Sequence, residues 1–147
     1  MELRYISFED AKYIHKKTIE HSGGGTIAVI DLGRLDSILE HIKNDDYYPT
    51  IVDKLTHLFF GVCEFHCFSD GNKRLAITLS TQFLLINGYM SIARLFFTEM
   101  ENISYHVAAG KIEETLLHDI MDAFMRGTYS EDEGLKLRLL NAISDNT

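Results

Sequence analysis

Proline occurs once in the 147 residues, cysteine only twice, and no stretch repeats itself or falls into low complexity. Proline-rich and serine-rich linkers are therefore missing, and no position offers itself as a domain boundary. Positive charge is also short. Fourteen Lys and Arg stand against twenty-two Asp and Glu, a net charge of −8 that would repel a phosphate backbone and argues against nucleic-acid binding. The two cysteines, Cys63 and Cys67, fall at one helix end, where a bridge would constrain little chain, so both read as reduced thiols. Long apolar runs are missing too. The opening MELRYISFEDAK is charged and interrupted by polar residues, unlike a signal peptide. The most apolar stretch, residues 75–90, carries Thr78, Ser80, Thr81, Gln82 and Asn87 and falls short of the roughly 20 residues that span a bilayer. The expectation is a cytoplasmic protein with neither a membrane nor a nucleic-acid partner.

What is present suits one globular domain: 46% hydrophobic and 24% charged residues, enough to bury a single core. Ser7 and Asp10 resemble a capping box, and Phe8, Ala11, Ile14 and Thr18 follow at helical spacing until Gly23, Gly24 and Gly25 stop the pattern. The β-branched stretch after them is too short for a helix and reads as an extended segment or one arm of a small hairpin. Asp31 is an N-cap candidate for a second helix carrying Leu32, Leu35, Ile38, Leu39 and Ile42. Pro49 is expected to open a third, with Val52, Leu55, Leu58, Phe59 and Val62 on its apolar face, running up to His66. A fourth begins near Gly71 and ends at Asn87 and Gly88. Further helices are predicted over 98–109, 113–125 and 131–143, which makes the class mostly α.

Between the third and fourth helices stands His66-Cys67-Phe68-Ser69-Asp70-Gly71-Asn72-Lys73-Arg74. Gly71 and Asn72 suit a tight turn with close backbone approach, and the following helix points its unsatisfied N–H groups back into that turn. Lys73 and Arg74 bring two cations into a first helical turn, where they oppose the dipole unless an anion, most simply a phosphate, lies between. Asp70 suits a Mg²⁺ shared with phosphate oxygens. His66, with an ordinary pKa near 6.5, suits a general base acting on a hydroxyl. Phe68 reads as a core anchor of the loop. The bland alternative is a charged helix start, with Asp70 as a mere N-cap. His57, Cys63, His66 and Cys67 are zinc-ligand types, but they crowd into one helix and its end instead of forming two separated pairs. The other histidines, His15, His21, His41, His106 and His118, are scattered and read as structural or solvated.

At His66, Phe68, Asp70, Gly71, Asn72 and Arg74 the sequence resembles the Fic/Doc superfamily. Lys73 stands where the AMP-transferring Fic branch has glycine and the Doc branch lysine, and Ile77 takes the place of the second Fic arginine; both point to the Doc-like branch. Gly71 is the Fic choice. The resemblance covers residues 1–127, with 128–147 as a C-terminal tail or helix of the same domain. It implies a helical bundle of about six to eight helices with a short β-hairpin flap, in which Gly25, Thr26, Ile27, Ala28, Val29 and Ile30 dock the target protein by strand-like pairing. It further implies transfer of a phosphate-containing group, the γ-phosphoryl of ATP in Doc-like members, to a Ser, Thr or Tyr hydroxyl of a target such as a translation factor. In that scheme His66 is the base, Asp70 holds Mg²⁺, Gly71 and Asn72 form the anion hole, Lys73 and Arg74 bind phosphates, and a separate antitoxin inhibits. Self-inhibition by Glu133-Gly134 is a near miss, since Ser130 is one residue too close and Tyr129 occupies the required position. The alternatives are AMP transfer and a non-catalytic nucleotide- or protein-binding module.

Overall fold

The computed structural model describes residues 2–21, 32–64 and 71–144. Seven α-helices occur among them: α1 (Phe8–His21), α2 (Leu32–His41), α3 (Ile51–Cys63), α4 (Gly71–Ile86), α5 (Met90–Ala108), α6 (Glu114–Arg126) and α7 (Glu133–Ser144), with a 3₁₀ turn at Tyr129–Glu131 before the last. The described residues contain no strand, and the expected flap, residues 25–30, lies outside them. None of these helices is long and apolar enough to cross a membrane.

The bundle is organised around α4, which packs on α5, α3 and α1. Leu75, Ala76, Leu79, Phe83 and Leu84 of this helix are buried on more than one side, as expected of a helix enclosed by others. Phe59 of α3, Phe96 of α5 and Phe124 of α6 form an edge-to-face chain beside it, with ring centroids 6.1 and 5.7 Å apart. At its C-terminal end the Asn87 side chain accepts from the Arg4 N–H and donates to the Arg4 and Phe83 carbonyls, pinning the N-terminal segment to the end of α4. Gly88 then turns the chain with φ of +88°, a conformation glycine adopts at little cost.

Two helix starts depart furthest from expectation. Helix α3 starts at Ile51, not at Pro49, because Thr50 is a better cap: its hydroxyl accepts from the Asp53 N–H and its own N–H donates to the Asp53 carboxylate. Helix α5 starts at Met90, eight residues before the expected Thr98. Tyr89 caps it without a side-chain hydrogen bond, so nothing in the sequence flags the start, while burial of Ala93, Phe96 and Met100 holds the first turns in place. The tail packs. Leu135 is buried, Tyr129 stacks on Phe124 at 4.2 Å, and Arg138 pairs with Asp119 at 2.8 Å.

Asp53 does more than cap α3, since its second carboxylate oxygen lies 2.9 Å from His118 Nε2 on α6. Burial pushes the Asp53 carboxyl up, but hydrogen bonds from Thr50 and contact with His118 outweigh this and hold it below its ordinary 3.8. A carboxylate depressed in the folded state contributes stability that is complete above its unfolded value and is lost as pH falls through the folded one. Asp53→Asn should therefore lower stability at pH 7 by about 1 kcal/mol, the scale of a lost cap. Urea melts of both proteins should show the difference shrinking below pH 3.8; a gap that does not change with pH would mean that the charge plays no part.

Candidate functional site

Helix α3 closes at Cys63, where the Glu64 N–H caps it by donating to the Phe60 carbonyl, and α4 opens at Gly71. The intervening residues 65–70 carry His66, Phe68 and Asp70 and lie outside the described residues, as does Cys67. The structure places Gly71 and Asn72 as the first two residues of α4, so their backbone N–H groups belong to the unsatisfied set at a helix N-terminus. Lys73 is half-buried and Arg74 exposed in the same turn, which contains no acidic residue to balance them within the helix. This end of α4 is thus doubly positive, from its dipole and from two side chains.

What α4 packs against determines what surrounds that end. On one side Thr18 of α1 and Thr78 of α4 approach to 3.3 Å, while the Thr78 hydroxyl donates to the Arg74 carbonyl at 2.9 Å, stitching α1 to α4 one turn below Arg74. Beside this seam a cleft of about 670 Å³ opens between α1, α4 and α5, with Tyr13, Lys17, Arg74, Ile77, Phe97 and Glu101 on its walls. A second cleft, of about 600 Å³, lies between α4, α5 and the tail and is bordered by Lys73, Arg74, Asn102, Tyr105, Tyr129 and Leu139. Arg74, Ile77 and Glu101 line both, so they form the ridge at which the clefts meet. Ile77, one turn beyond Arg74, is buried and contributes an apolar side chain to the floor shared by both clefts.

The site residues predicted from sequence are thus brought together only in part on the described residues: Gly71, Asn72, Lys73 and Arg74 form one turn at the junction of two clefts. The remaining lining groups, Tyr13, Lys17, Phe97, Glu101, Tyr105 and Tyr129, carried no signal in the sequence. They come from α1, α5 and the tail, and only packing assembles them. Exposure of large aromatics such as Tyr13, Phe97 and Tyr105 is the one hint, and it needs coordinates to be seen.

The zinc-type residues fall differently. Cys63 is buried, and burial together with the nearby Glu64 pushes its thiol far up, against the opposing influence of the Lys73 charge. It is a free, protonated thiol facing the core. His57 stacks on Tyr48 with ring centroids 4.4 Å apart and sets its Nε2 3.4 Å from His41 Nδ1. His66 and Cys67 lie outside the described residues. Among the described residues no three His, Cys, Asp or Glu side chains gather as metal ligands.

Comparison with known proteins adds two findings. A model of the Fic/DOC family matches residues 5–84, the span from just before α1 to the last turn of α4. A curated relative, "Toxin Doc" of Mycolicibacterium smegmatis, is 30% identical over 105 residues, covering 66% of this chain and 81% of that protein.

Proposed function

The chain belongs to the Fic/DOC family, in its Doc-like branch, and on that premise we propose that it is a toxin which transfers the γ-phosphoryl group of ATP to a hydroxyl of a target protein. The observation that carries this reading is the start of α4 at Gly71, next in the chain after the segment His66 to Asp70, with Lys73 and Arg74 in its first turn between two clefts. Phosphoryl transfer asks little covalent chemistry of a protein; it asks for positioning and for charge to be neutralised where it develops. A helix end with two added cations is suited to that demand.

In this reading His66 takes the proton of the attacking Ser, Thr or Tyr hydroxyl as its oxygen bonds to the γ-phosphorus. The bond from that phosphorus to the β,γ-bridging oxygen breaks, and ADP leaves with the pair. Gly71 and Asn72 present backbone donors to the phosphates, and Lys73 and Arg74 compensate their charge. The donor set fits Mg²⁺: one carboxylate, Asp70, next to a phosphate-seeking helix start is the sparse protein ligation that Mg²⁺ favours when phosphate oxygens and waters complete its shell. Bound there, the ion would neutralise phosphate charge and hold the chain of phosphates in line.

Two features bear on which phosphorus is attacked. Lys73 places a long cation where the AMP-transferring branch has glycine, and Ile77 supplies no charge where that branch has its second arginine. Both favour the phosphoryl reading. Gly71 is the one residue that leans toward AMP transfer. Regulation by a separate antitoxin fits the tail: Glu133, the nearest match to an inhibitory glutamate, is exposed at the start of α7, and Ile77 leaves it no arginine to pair with. Residues 25–30 would dock the target, and the cytoplasm is where such a target is expected.

The mass of the modified target tests the reading. After incubation of the purified protein with Mg²⁺, ATP and a cell lysate, the modified protein should gain the mass of one phosphate group on a hydroxyl residue. A gain equal to AMP would transfer the assignment to the Fic-type reaction, and no gain from ATP would favour the non-catalytic module.

A further inference from the structure

A lysine is a poor phosphate clamp unless something restrains it, because its ammonium is a compact charge on a flexible stem. In the first turn of α4 the helix dipole adds a repulsive push. The fold confines Lys73. Its ammonium lies 5.6 Å from the centroid of the Tyr105 ring, within the reach of cation–π attraction. Lys73, half-buried, therefore lies against α5 and does not trail into solvent.

Tyr105 is equipped for this role. It belongs to α5, the helix packed most extensively on α4, so the relation between the two side chains is set by a rigid pair. Its ring meets the neighbouring His106 edge-on, with centroids 5.3 Å apart and planes at 88°. The residue is 58% exposed, too open for a core anchor, yet it borders the same cleft as Lys73 and Arg74.

We propose that Tyr105 is a positioning residue whose ring face holds the Lys73 ammonium at the edge of this cleft, so that incoming phosphates meet a charge already in place. The inference rests on the phosphate-binding role assigned to Lys73 above. A restrained cation raises the rate because its ordering is complete before the transition state forms.

Three comparisons test it. Tyr105→Leu should lower kcat/KM for ATP about three- to fivefold, the worth of a cation–π contact at an open site. Tyr105→Phe, which keeps the ring face, should retain the wild-type value. In a Lys73→Met background Tyr105→Leu should cost nothing further, whereas a merely structural tyrosine would cost the same in both backgrounds and overturn the proposal. A second readout is independent of activity. With the lysines ¹³C-methylated, the Lys73 signal, identified by its loss in Lys73→Met, should show an upfield ring-current shift that survives Tyr105→Phe and disappears in Tyr105→Leu. Absence of that shift in the wild type overturns the positioning role whatever the enzyme does. Its presence in a protein that transfers nothing would leave the Lys73–Tyr105 contact standing while refuting the transfer reading and, with it, the phosphate-positioning role.

Discussion

His66→Ala is expected to reduce transfer to the target by roughly 10²–10⁴-fold, the contribution of a positioned general base, while the protein remains folded. The two halves of that result have different origins. The activity depends on a proton acceptor next to the phosphates, and in the segment from His66 to Arg74 only the imidazole has an ordinary pKa close to neutral pH, as a general base working there requires. The stability depends on the side chains of Leu58, Phe59 and Val62 on α3 and Leu75, Leu79 and Phe83 on α4, all of them buried. Activity should be followed by transfer from labelled ATP, and folding by thermal unfolding of the same sample. Full activity in the variant would point to the interaction module; loss of both activity and fold would make His66 a structural residue.

The largest expected effect on stability comes from Phe96→Ala. Phe96 is fully buried and bridges the other two rings of the edge-to-face chain, Phe59 on α3 and Phe124 on α6, from its place on α5. Its removal leaves a hole that three helices would have to close at once, and a rigid bundle relaxes only partly, so the loss should be about 3–5 kcal/mol. Phe97, the next residue, is 53% exposed beside the first cleft, and Phe97→Ala should cost less than about 1 kcal/mol. Urea denaturation of the two variants provides the comparison. Equal losses would mean that the aromatic chain does not carry the bundle.

The helical class and most helix ends could be read in advance because their signals are local. The Ser7 hydroxyl does accept from the Asp10 N–H, Gly88 does turn out of α4, and the apolar spacing in α2 and α3 does mark their buried faces, except that Leu32, at the first position of α2, is exposed. Reading failed where two local signals competed or none was present. Pro49 is a good opener, but the reciprocal bonds of Thr50 and Asp53 outweigh it, and α5 starts at Met90 behind a tyrosine cap that makes no side-chain hydrogen bond. The segment from His66 to Arg74 stands out for another reason: the proposed base, carboxylate and cations are contiguous in the chain, so their spacing is visible without coordinates. Glu101, Tyr105 and Tyr129 are separated from them by more than a helix and reach the clefts only because α5 and the tail pack where they do. An exposed aromatic on a helix has no chain-local sign of its partner across the bundle. Lys54 illustrates the same limit in the core. Its ammonium is buried and donates to the Ile42 carbonyl and the Asp45 carboxylate, each at 2.7 Å, a strut that no pattern in α3 announces.

The most direct test of the central claim is the position of the label that reaches protein. Purified protein, Mg²⁺ and a cell lysate should be incubated in parallel with ATP labelled at the α or the γ phosphorus, with His66→Ala alongside. The account predicts a labelled protein band from γ-labelled ATP only, absent with His66→Ala. A band from α-labelled ATP would contradict it and make the enzyme an AMP transferase.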